Sequence, residues 1–316
     1  MHILKGYTKQ EISWMMYDWA NSAHSVIIVT LLPIFFDTVA GYTADSVSSM
    51  STWGYATSIA MLIVALAAPF LGVFGDIRGM RKKLFSFFML LGVAACAGMA
   101  FTPGMDFTSG PVAAGKVASL ILVLYIVSVI GFDASAIYYD AFLTDVTIED
   151  RMDKVSTMGY GLGYIGGSTI PLLIFLIMNL VGVPMLTCLA FVFGLTAVWW
   201  LAFSLPLLKN CEQTSGKPYE KGDVARSIKG VGTTIKEIIA NKPMLIYILS
   251  YFFYIDGVHT VISMATTYGT NLGLDSTGMM LALLLVQILG LPFCLLYMKL
   301  AEKFGARTMV GVGICV

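Results

Sequence analysis

Apolar residues in this chain form long continuous runs. A membrane-spanning helix needs about 20 mostly apolar residues, and eight runs of that order lie near 14–36, 53–75, 84–101, 117–141, 157–180, 184–206, 244–267 and 278–299. A ninth starts after Arg307 and stops at Val316, so the chain is expected to end inside a helix. Strands of a transmembrane barrel would alternate apolar and polar residues, and these runs do not. The pattern therefore predicts an all-α polytopic membrane protein, whose runs we number spans 1 to 9.

Composition and charge agree with a membrane protein and exclude several other classes. Of the 316 residues, 58% are hydrophobic and 12% are charged, whereas a soluble domain carries about 25% charged residues. The 19 basic residues balance the 19 acidic ones, so no net positive charge favours a nucleic-acid partner. The five cysteines are scattered without a Cys-x-x-Cys pair, and we expect neither a metal site nor a cofactor.

The distribution of cations predicts the orientation of the chain. A cytoplasmic N-terminus places all of the 19 Lys and Arg residues except Lys116 on the cytoplasmic side, as the positive-inside rule requires. Residues 1–13 contain no apolar core of a signal peptide, so we expect span 1 to be retained. The prediction is a multi-pass protein of a plasma or inner membrane with its N-terminus in the cytoplasm.

One long polar connection divides the predicted spans into two groups. It gives three regions, a six-helix bundle over 1–207, a cytoplasmic linker over 208–243 and a partial second bundle over 244–316. Within the linker, apolar residues recur at three- and four-residue spacing with basic residues between them, as in an interfacial amphipathic helix; these are Val224, Ile228, Val231, Ile235 and Ile238, and Arg226, Lys229 and Lys236. A solvated linker, favoured by Gly230 and Gly232, is the alternative.

Two short segments recur on either side of the linker. The run Ala23-His24-Ser25-Val26-Ile27 of span 1 matches Val258-His259-Thr260-Val261-Ile262 of span 7. After span 2, Asp76, Gly79 and Arg81 have the spacing that Glu302, Gly305 and Arg307 have after span 8. Many transporter folds are built from repeated halves, so we interpret the two regions as related bundles.

The segment after span 2, Gly72-x-x-x-Asp76-x-x-Gly79-x-Arg81, resembles the loop signature of the major facilitator superfamily. This resemblance implies twelve helices in two six-helix bundles, of which the chain covers about helices 1 to 9, so that its C-terminal bundle is incomplete. It also implies that the loop latches a cytoplasmic gate, with Gly72, Asp76, Gly79 and Arg81 in the first half and Glu302 and Arg307 in the second.

The run Tyr17-Asp18-Trp19-Ala20-Asn21-Ser22-Ala23 in span 1 is similar to the opening signature of the Atg22-like, or UMF1, branch of that superfamily. Three further stretches agree with it, Tyr139-Asp140-Ala141-Phe142-Leu143-x-Asp145, Gly159-Tyr160-Gly161-Leu162-Gly163-Tyr164-x-Gly166-Gly167 and Tyr254-Ile255-Asp256-Gly257-Val258-x-Thr260. The branch resemblance implies transport of a small solute, with efflux of amino acids or related metabolites as the implied class.

Polar and ionisable residues within the spans are the candidates for chemistry, because an unpaired charge in a bilayer is costly. Span 1 places four of them on one helical face and span 7 repeats the spacing; the two sets are Asp18, Asn21, Ser22 and Ser25, and Asp256, His259, Thr260 and Ser263. Because spans 1 and 7 occupy equivalent places in the two halves, these faces are expected to line one cavity.

Three residues lie deep enough for a role in coupling. His24 and Asp256 fall roughly 15–18 Å into a core of about 30 Å. A histidine beside a carboxylate can exchange a proton in the physiological range, so His24, Asp256 and His259 are the first candidates for proton coupling and recognition. A hydrogen-bonded histidine in a helix interface is the alternative for His24, and a position in the headgroup zone is the alternative for Asp18.

Span 4 carries two carboxylates seven residues apart, and therefore on one face. Asp133 lies deep in the span and is a candidate, whereas Asp140 reaches the cytoplasmic interface, where a solvated carboxylate needs no special role. In span 5, Gly159, Gly163 and Gly167 recur at every fourth position, which predicts a face for close helix packing.

These patterns predict a secondary transporter that moves a small solute by alternating access and is driven by protons or another coupling ion. The expected partners are a small-molecule substrate, that ion and the lipid bilayer. A receptor or scaffold without transport is an alternative from another class. An intramembrane enzyme is disfavoured, because no His-Glu-x-x-His occurs and Asp133 and Asp140 share a helix.

Overall fold

A computed structural model describes residues 4–43, 49–218 and 223–315, with side chains except those of 223–229, 263, 270–271, 276–277, 306 and 315. Residue Lys221 and the side chains of Val224, Arg226, Ile228, Lys229 and Ser263, which entered the predictions above, lie outside the described residues.

The described ranges contain helices and no β-strand beyond one isolated backbone bridge. The helices are α1 (Lys9–Ala40), α2 (Ser49–Gly75), α3 (Arg81–Met99), α4 (Pro111–Val146), α5 (Glu149–Leu180), α6 (Met185–Asn210), α7 (Asp223–Ala240), α8 (Lys242–Asn271), α9 (Ser276–Phe304) and α10 (Ala306–Cys315). Eight of them, α1 to α6, α8 and α9, are long and apolar enough to cross a membrane. The all-α polytopic architecture predicted from the sequence is confirmed.

Local sequence signals set the helix ends. Thr8 caps α1 in a reciprocal arrangement, since its hydroxyl accepts from the Glu11 amide at 3.1 Å and the Glu11 carboxylate accepts from the Thr8 amide at 2.7 Å. Such a box satisfies two amides that the first helical turn leaves without partners. Pro111 starts α4, where a missing amide hydrogen has no cost, and Asp275 caps α9 by accepting from the Gly278 amide at 2.7 Å.

Helix α1 forms the centre of the first half. It contacts α4, α5 and α6, and 67% of its most apolar window is buried, against 11% for α2. The largest side chains that are almost fully buried include Tyr17 of α1, Tyr125 of α4 and Trp200 of α6. The core of the first half is therefore built around α1, and residues of α1 are held by three neighbouring helices.

Helix α5 contains one π-helical turn, Tyr164–Thr169, in its middle. The turn includes Gly166 and Gly167 and lies where α5 packs on α1. Single π turns inside α-helices occur frequently at functional sites. The Thr169 hydroxyl donates to the Tyr164 carbonyl at 2.7 Å, which satisfies one acceptor within the wider turn.

The two halves meet through α8 and α9. Helix α8 contacts α1 and α2, and α9 contacts α5. A Cβ at Gly161 of α5 would lie 2.8 Å from Leu291 and 3.3 Å from the Cβ of Cys294 in α9, and Gly290 of α9 receives the ring of Tyr164. Small residues allow this close approach between helices in a membrane, so the α5–α9 contact joins the halves near the middle of both helices.

Candidate functional site

The polar face of α1 packs against the glycine face of α5. A Cβ at Gly159 would lie 2.5 Å from Oδ2 of Asp18, and one at Gly163 would lie 2.5 Å from the hydroxyl of Ser22. Gly167 adjoins the α1 backbone in the same way, with the Ala23 nitrogen at 2.8 Å. The structure thus shows the close packing that the four-residue glycine spacing predicts, and it places Asp18 at that seam.

Asp18 is the most enclosed carboxylate of α1. The residue is 9% exposed, and within the described ranges no ion pair reaches it. Tyr139 and Asp140 of α4 are its electrostatic neighbours. Because α1 starts at Lys9, nine residues before it, Asp18 lies roughly 14 Å along the helix.

A buried hydrogen-bond network surrounds Tyr17, next to Asp18. Its hydroxyl is 2.8 Å from the Ser135 hydroxyl of α4 and accepts from Nε1 of Trp200 of α6 at 3.4 Å. Asn21 is also buried and interacts with Tyr17. The polar residues of α1 are therefore divided between two settings, because Asp18 and Ser22 face α5 while Asn21 joins the network toward α4 and α6.

His24 lies inside the first half rather than at a contact with α8. The residue is 1% exposed, and its Nε2 is 3.2 Å from the Ser128 hydroxyl. Its ring stacks on Phe132 with centroids 4.7 Å apart and lies 5.2 Å from the ring of Trp200. Nδ1 is buried without a hydrogen-bond partner in the described part of the chain. These contacts correspond to the interface alternative considered for this histidine.

Asp133 and Asp140 share the face of α4 that the sequence predicts. Asp133 is half-buried, and Asp140 is exposed. Asp140 is an electrostatic neighbour of Asp18, which places this face of α4 toward α1. Asp133 lies two turns farther from the cytoplasmic end predicted for α4, so the three carboxylates occupy increasing depths along the α1–α4 side of the first half.

The candidates of the second half lie on an exposed helix. Asp256 and His259 of α8 are both exposed, as is Thr260. Helix α8 approaches the first half at its later turns, where a Cβ at Gly54 of α2 would lie 3.9 Å from the Met264 methyl group. The structure thus brings the α1 and α4 candidates near each other, while those of α8 occupy an open surface.

The loop between α2 and α3 forms the second group of candidates. Gly79 has a φ of +82°, a left-handed conformation that glycine adopts without strain. The Arg81 side chain is 6% exposed, and its Nη2 is 3.9 Å from an oxygen of Asp76, whose side chain is 80% exposed. Asp76 therefore forms a peripheral ion pair, and the stronger contacts of Arg81 lie elsewhere. Gly72 has open space around it.

Arg81 is held mainly by Asp145, at the end of α4. Its Nη1 pairs with Asp145 and donates to the Ala141 carbonyl at 3.0 Å and to the Ser215 hydroxyl at 3.2 Å. The other Asp145 oxygen accepts from the amides of Thr214 and Ser215 at 3.1 and 2.9 Å, and from their hydroxyls at 2.9 and 2.8 Å. The Asp145 side chain is fully buried by these groups.

The segment after α6, residues 211–217, lies across this loop, and we call it the strap. Gln213 accepts from the Gly79 amide at 2.9 Å and donates to the Gly75 carbonyl at 2.9 Å. Lys217 exchanges two backbone hydrogen bonds of 3.0 Å with Asp76 and Arg78. Sequence reasoning did not identify the strap or the role of Asp145, although Asp145 closes one of the stretches that carried the family resemblance.

A second network at the predicted cytoplasmic ends was also missed. The buried Glu11 carboxylate accepts from Arg151 Nε at 2.9 Å, from Arg151 Nη2 at 2.8 Å and from the Thr147 hydroxyl at 2.7 Å. It ties the start of α1 to the α4–α5 connection. Nearby, burial raises the pKa of the Tyr7 hydroxyl, and Glu302 of α9 is among its electrostatic neighbours, so the halves approach here as well.

The second copy of the loop segment has the same backbone turn with fewer contacts. Gly305 has a φ of +84° and donates its amide to the Ala301 carbonyl at 2.9 Å. Glu302 and Arg307 are exposed, and within the described ranges neither forms an ion pair. In the same ranges, no group of three or more His, Cys, Asp and Glu residues is placed to hold a metal ion.

Comparisons with known proteins agree with this architecture. The family described as "Vacuole effluxer Atg22 like" matches residues 42–150 and 144–316. The "Uncharacterized MFS-type transporter YxiO" of Bacillus subtilis (strain 168) is 40% identical over 322 residues, which cover 99% of this chain and 72% of that protein. Autophagy-related protein 22-1 of Penicillium rubens is 24% identical over 185 residues, which cover 55% of this chain and 31% of that protein.

Two solved structures share the fold. The crystal structure of a D-xylose-proton symporter has a TM-score of 0.55 at 15% identity and covers 94% of this chain and 69% of its own. The partially occluded inward-open conformation of the xylose transporter XylE from E. coli has a TM-score of 0.55 at 14% identity, covering 94% and 73%. At such identities the similarity shows the two-bundle helical fold alone.

Proposed function

Because the chain belongs to the Atg22-like family of major facilitator transporters, we propose that it couples the movement of a small solute to protons by alternating access. The family consists of membrane transporters rather than enzymes, so the chain is a multi-pass membrane protein with a secondary-transport fold. The solute, the coupling ion, the cytoplasmic N-terminus and the residue roles below are parts of the proposal.

The observation that carries the proposal is the enclosed carboxylate of Asp18. It lies where α1, α4 and α5 meet and has no cationic partner in the described part of the chain. Keeping an isolated ionised carboxylate at such a depth costs several kcal/mol. Binding a proton removes that cost, and opening of the seam to water allows the proton to leave. Asp18 is therefore our first candidate for the coupling residue.

The remaining candidates are assigned by their surroundings. Asp133 extends the acidic side of α4 deeper into the membrane, and Asn21 joins the Tyr17 network beside Asp18. Asp256 and His259 face the open side of α8, where they are available to a solute held between the bundles. His24 ranks after Asp18, because Ser128, Phe132 and Trp200 enclose its ring. It retains one unpaired ring nitrogen that can take part in proton exchange.

The loop and its strap are proposed to hold the cytoplasmic side of the first half. Gly79 allows the turn, and the Arg81–Asp145 pair fastens it to α4. Glu302 and Arg307 are proposed to act in the equivalent place of the second half. This assignment uses the three regions predicted from the sequence, with 1–207 and 244–316 as the moving bundles and 208–243 as the connection between them.

Amino acids or related metabolites are the proposed solutes, with efflux as the direction. The support is the family description, which names a vacuole effluxer. Neutral or cationic amino groups also suit a first half whose enclosed and half-buried charges are the carboxylates of Asp18 and Asp133. A carboxylate recognises an ammonium group through charge-assisted hydrogen bonds.

Transport in proteoliposomes tests the proposal. Vesicles loaded with a pH-sensitive dye and carrying the reconstituted protein should show proton movement on addition of a transported amino acid. The flux should be lost in Asp18→Asn, reduced in Asp133→Asn and Asp256→Asn, and weakened in His24→Gln and His259→Ala. Asp106→Asn is the matched control, because Asp106 is an exposed loop residue whose contacts are local.

Two outcomes would contradict parts of the proposal. Solute uptake that persists without proton movement in Asp18→Asn as in the wild type would remove Asp18 from coupling. Saturable binding of a solute without flux in either direction would favour the receptor alternative, since a receptor binds its ligand without moving it across the vesicle membrane.

A further inference from the structure

Helix α7 has one apolar face and one charged face. At 100° per residue, Val231, Ile235 and Ile238 lie on one side, while Lys236 and Glu237 lie on the other. The apolar face is only partly covered, since Ile235 and Ile239 are 49% and 58% exposed. A helix with this distribution is typical of segments that lie in the membrane interface.

The place of α7 in the fold supports an interfacial position. Asn241 alone separates it from α8, which begins at Lys242 and is one of the helices that can cross the membrane. Helix α7 also contacts α2. Its exposed isoleucines therefore lie beside the surfaces of membrane-spanning helices, where the alternative to water is lipid.

The charge of the linker indicates which lipid would bind. Residues 208–243 contain seven Lys and Arg residues and four Asp and Glu residues, a net charge of +3 in a chain whose overall charge is zero. Basic residues near a bilayer attract anionic headgroups by about 1 kcal/mol each. Lys236 is exposed, and Arg226 and Lys229 occupy the same polar side of the helix by sequence position.

The strap connects α7 to the loop between α2 and α3. Lys217 ends the strap with two backbone hydrogen bonds to Asp76 and Arg78, and only residues 218–222 separate it from α7. A short tether of this length passes displacement of α7 directly to the strap. The strap in turn supplies Thr214 and Ser215 to Asp145, the partner of Arg81.

We propose that α7 is a binding surface for anionic phospholipid, and that its attachment to the bilayer stabilises the strap on the α2–α3 loop. The lipid engages the basic side chains with its headgroup and the exposed isoleucines with its acyl chains. The loop that holds Arg81 is then sensitive to lipid charge, independently of which solute the protein moves.

Amide hydrogen exchange of the intact protein in nanodiscs tests this inference without any solute. One set of discs contains phosphatidylcholine, and the other contains phosphatidylcholine with one quarter phosphatidylglycerol. Phosphatidylglycerol should slow exchange in 223–240 and also in 211–217, each by about fivefold. The triple variant Arg226→Gln/Lys229→Gln/Lys236→Gln should lose both effects.

A matched control separates a local site from overall charge. Lys5→Gln/Lys9→Gln/Lys154→Gln removes the same charge at exposed positions outside the linker and should keep the wild-type response. Exchange in α1 reports whether each variant is folded, and added salt should reduce the wild-type response because it screens the attraction.

Three results would overturn the inference. Equal exchange of the wild type in both lipids would exclude anionic lipid as the occupant of this face, leaving a protein partner. A response that survives in the α7 variant, or that disappears equally in the control variant, would place the effect elsewhere. Protection of 223–240 with no change in 211–217 would separate lipid binding from the strap.

Discussion

The two copies of the Asp/Glu-x-x-Gly-x-Arg segment share a turn and differ in everything that surrounds it. Gly79 and Gly305 have φ angles of +82° and +84°. Arg81 is nevertheless buried among Asp145, Ala141 and Ser215, whereas Arg307 is exposed. The turn is therefore a local property of the segment. The fastening of the first copy comes from α4 and the strap, which lie outside the repeated residues.

Removal of the buried arginine should give the largest difference between the copies. Arg81→Ala leaves the enclosed Asp145 carboxylate without its cation, and breaking a buried pair in this way costs about 3 kcal/mol. Arg307→Ala should change the free energy of unfolding by less than about 0.5 kcal/mol, as exposed substitutions usually do. Thermal unfolding of both variants in the same detergent measures the difference. Equal midpoints would show that the strap network contributes nothing particular to the first copy.

Glycine substitutions should separate the packed and open regions by a smaller amount. A Cβ at Gly166 overlaps the ring of Trp19, whereas one at Gly257 of α8 meets no atom within 4 Å. Gly166→Ala should destabilise by about 2 kcal/mol through overpacking, and Gly257→Ala should be neutral or slightly stabilising. The same unfolding measurement applies. A loss in Gly257→Ala as large as in Gly166→Ala would contradict the contrast.

A cross-link can sharpen the boundary between the halves. The 3.3 Å between a Cβ at Gly161 and that of Cys294 is close to the spacing of about 3.5–4.5 Å found in disulfides. Gly161→Cys should therefore form a disulfide under mild oxidation, detected by mass spectrometry of the linked peptides, and Gly257→Cys should not. Absence of the Gly161→Cys link would mean that α5 and α9 do not meet as the structure shows.

Thiol reactivity should give the smallest and most local signal. Cys211 starts the strap, and burial raises the pKa of its thiol to about 12. Since the thiolate is the reactive form, alkylation of Cys211 should stay slow between about pH 7 and pH 9. Gln213→Ala, which loosens the strap, should accelerate it. Peptide mass spectrometry follows this cysteine alone, and rapid labelling of the wild type would show that the strap does not cover it.

The helices could be predicted from the sequence because their signals are local. Spans of apolar residues, the Thr8–Glu11 cap and the glycine spacing of α5 all depend on residues within a few turns of one another. The amphipathic period of the linker similarly predicted a helix, and α7 forms there. The family resemblance then supplied the arrangement of the helices, which periodicity alone does not determine.

The contacts that hold the candidate sites could not be predicted, because they join distant residues. Asp145 meets Ser215 across 70 positions, and Glu11 meets Arg151 across 140. His24 illustrates the same limit, since its repeat with His259 indicated a shared cavity while its ring packs within the first half. Sequence periodicity predicts the face of a residue on its helix, and the neighbouring helix decides what that face meets.

The π turn of α5 has a consequence for the phase of that helix. Residues four apart in a regular α-helix drift steadily around its axis, yet Gly159, Gly163 and Gly167 all adjoin α1. The wider turn at Tyr164–Thr169 uses more residues per revolution and so brings Gly167 back into line. Deleting one residue there would restore a regular helix and rotate its outer portion by about 100°, turning a different row of side chains toward α1.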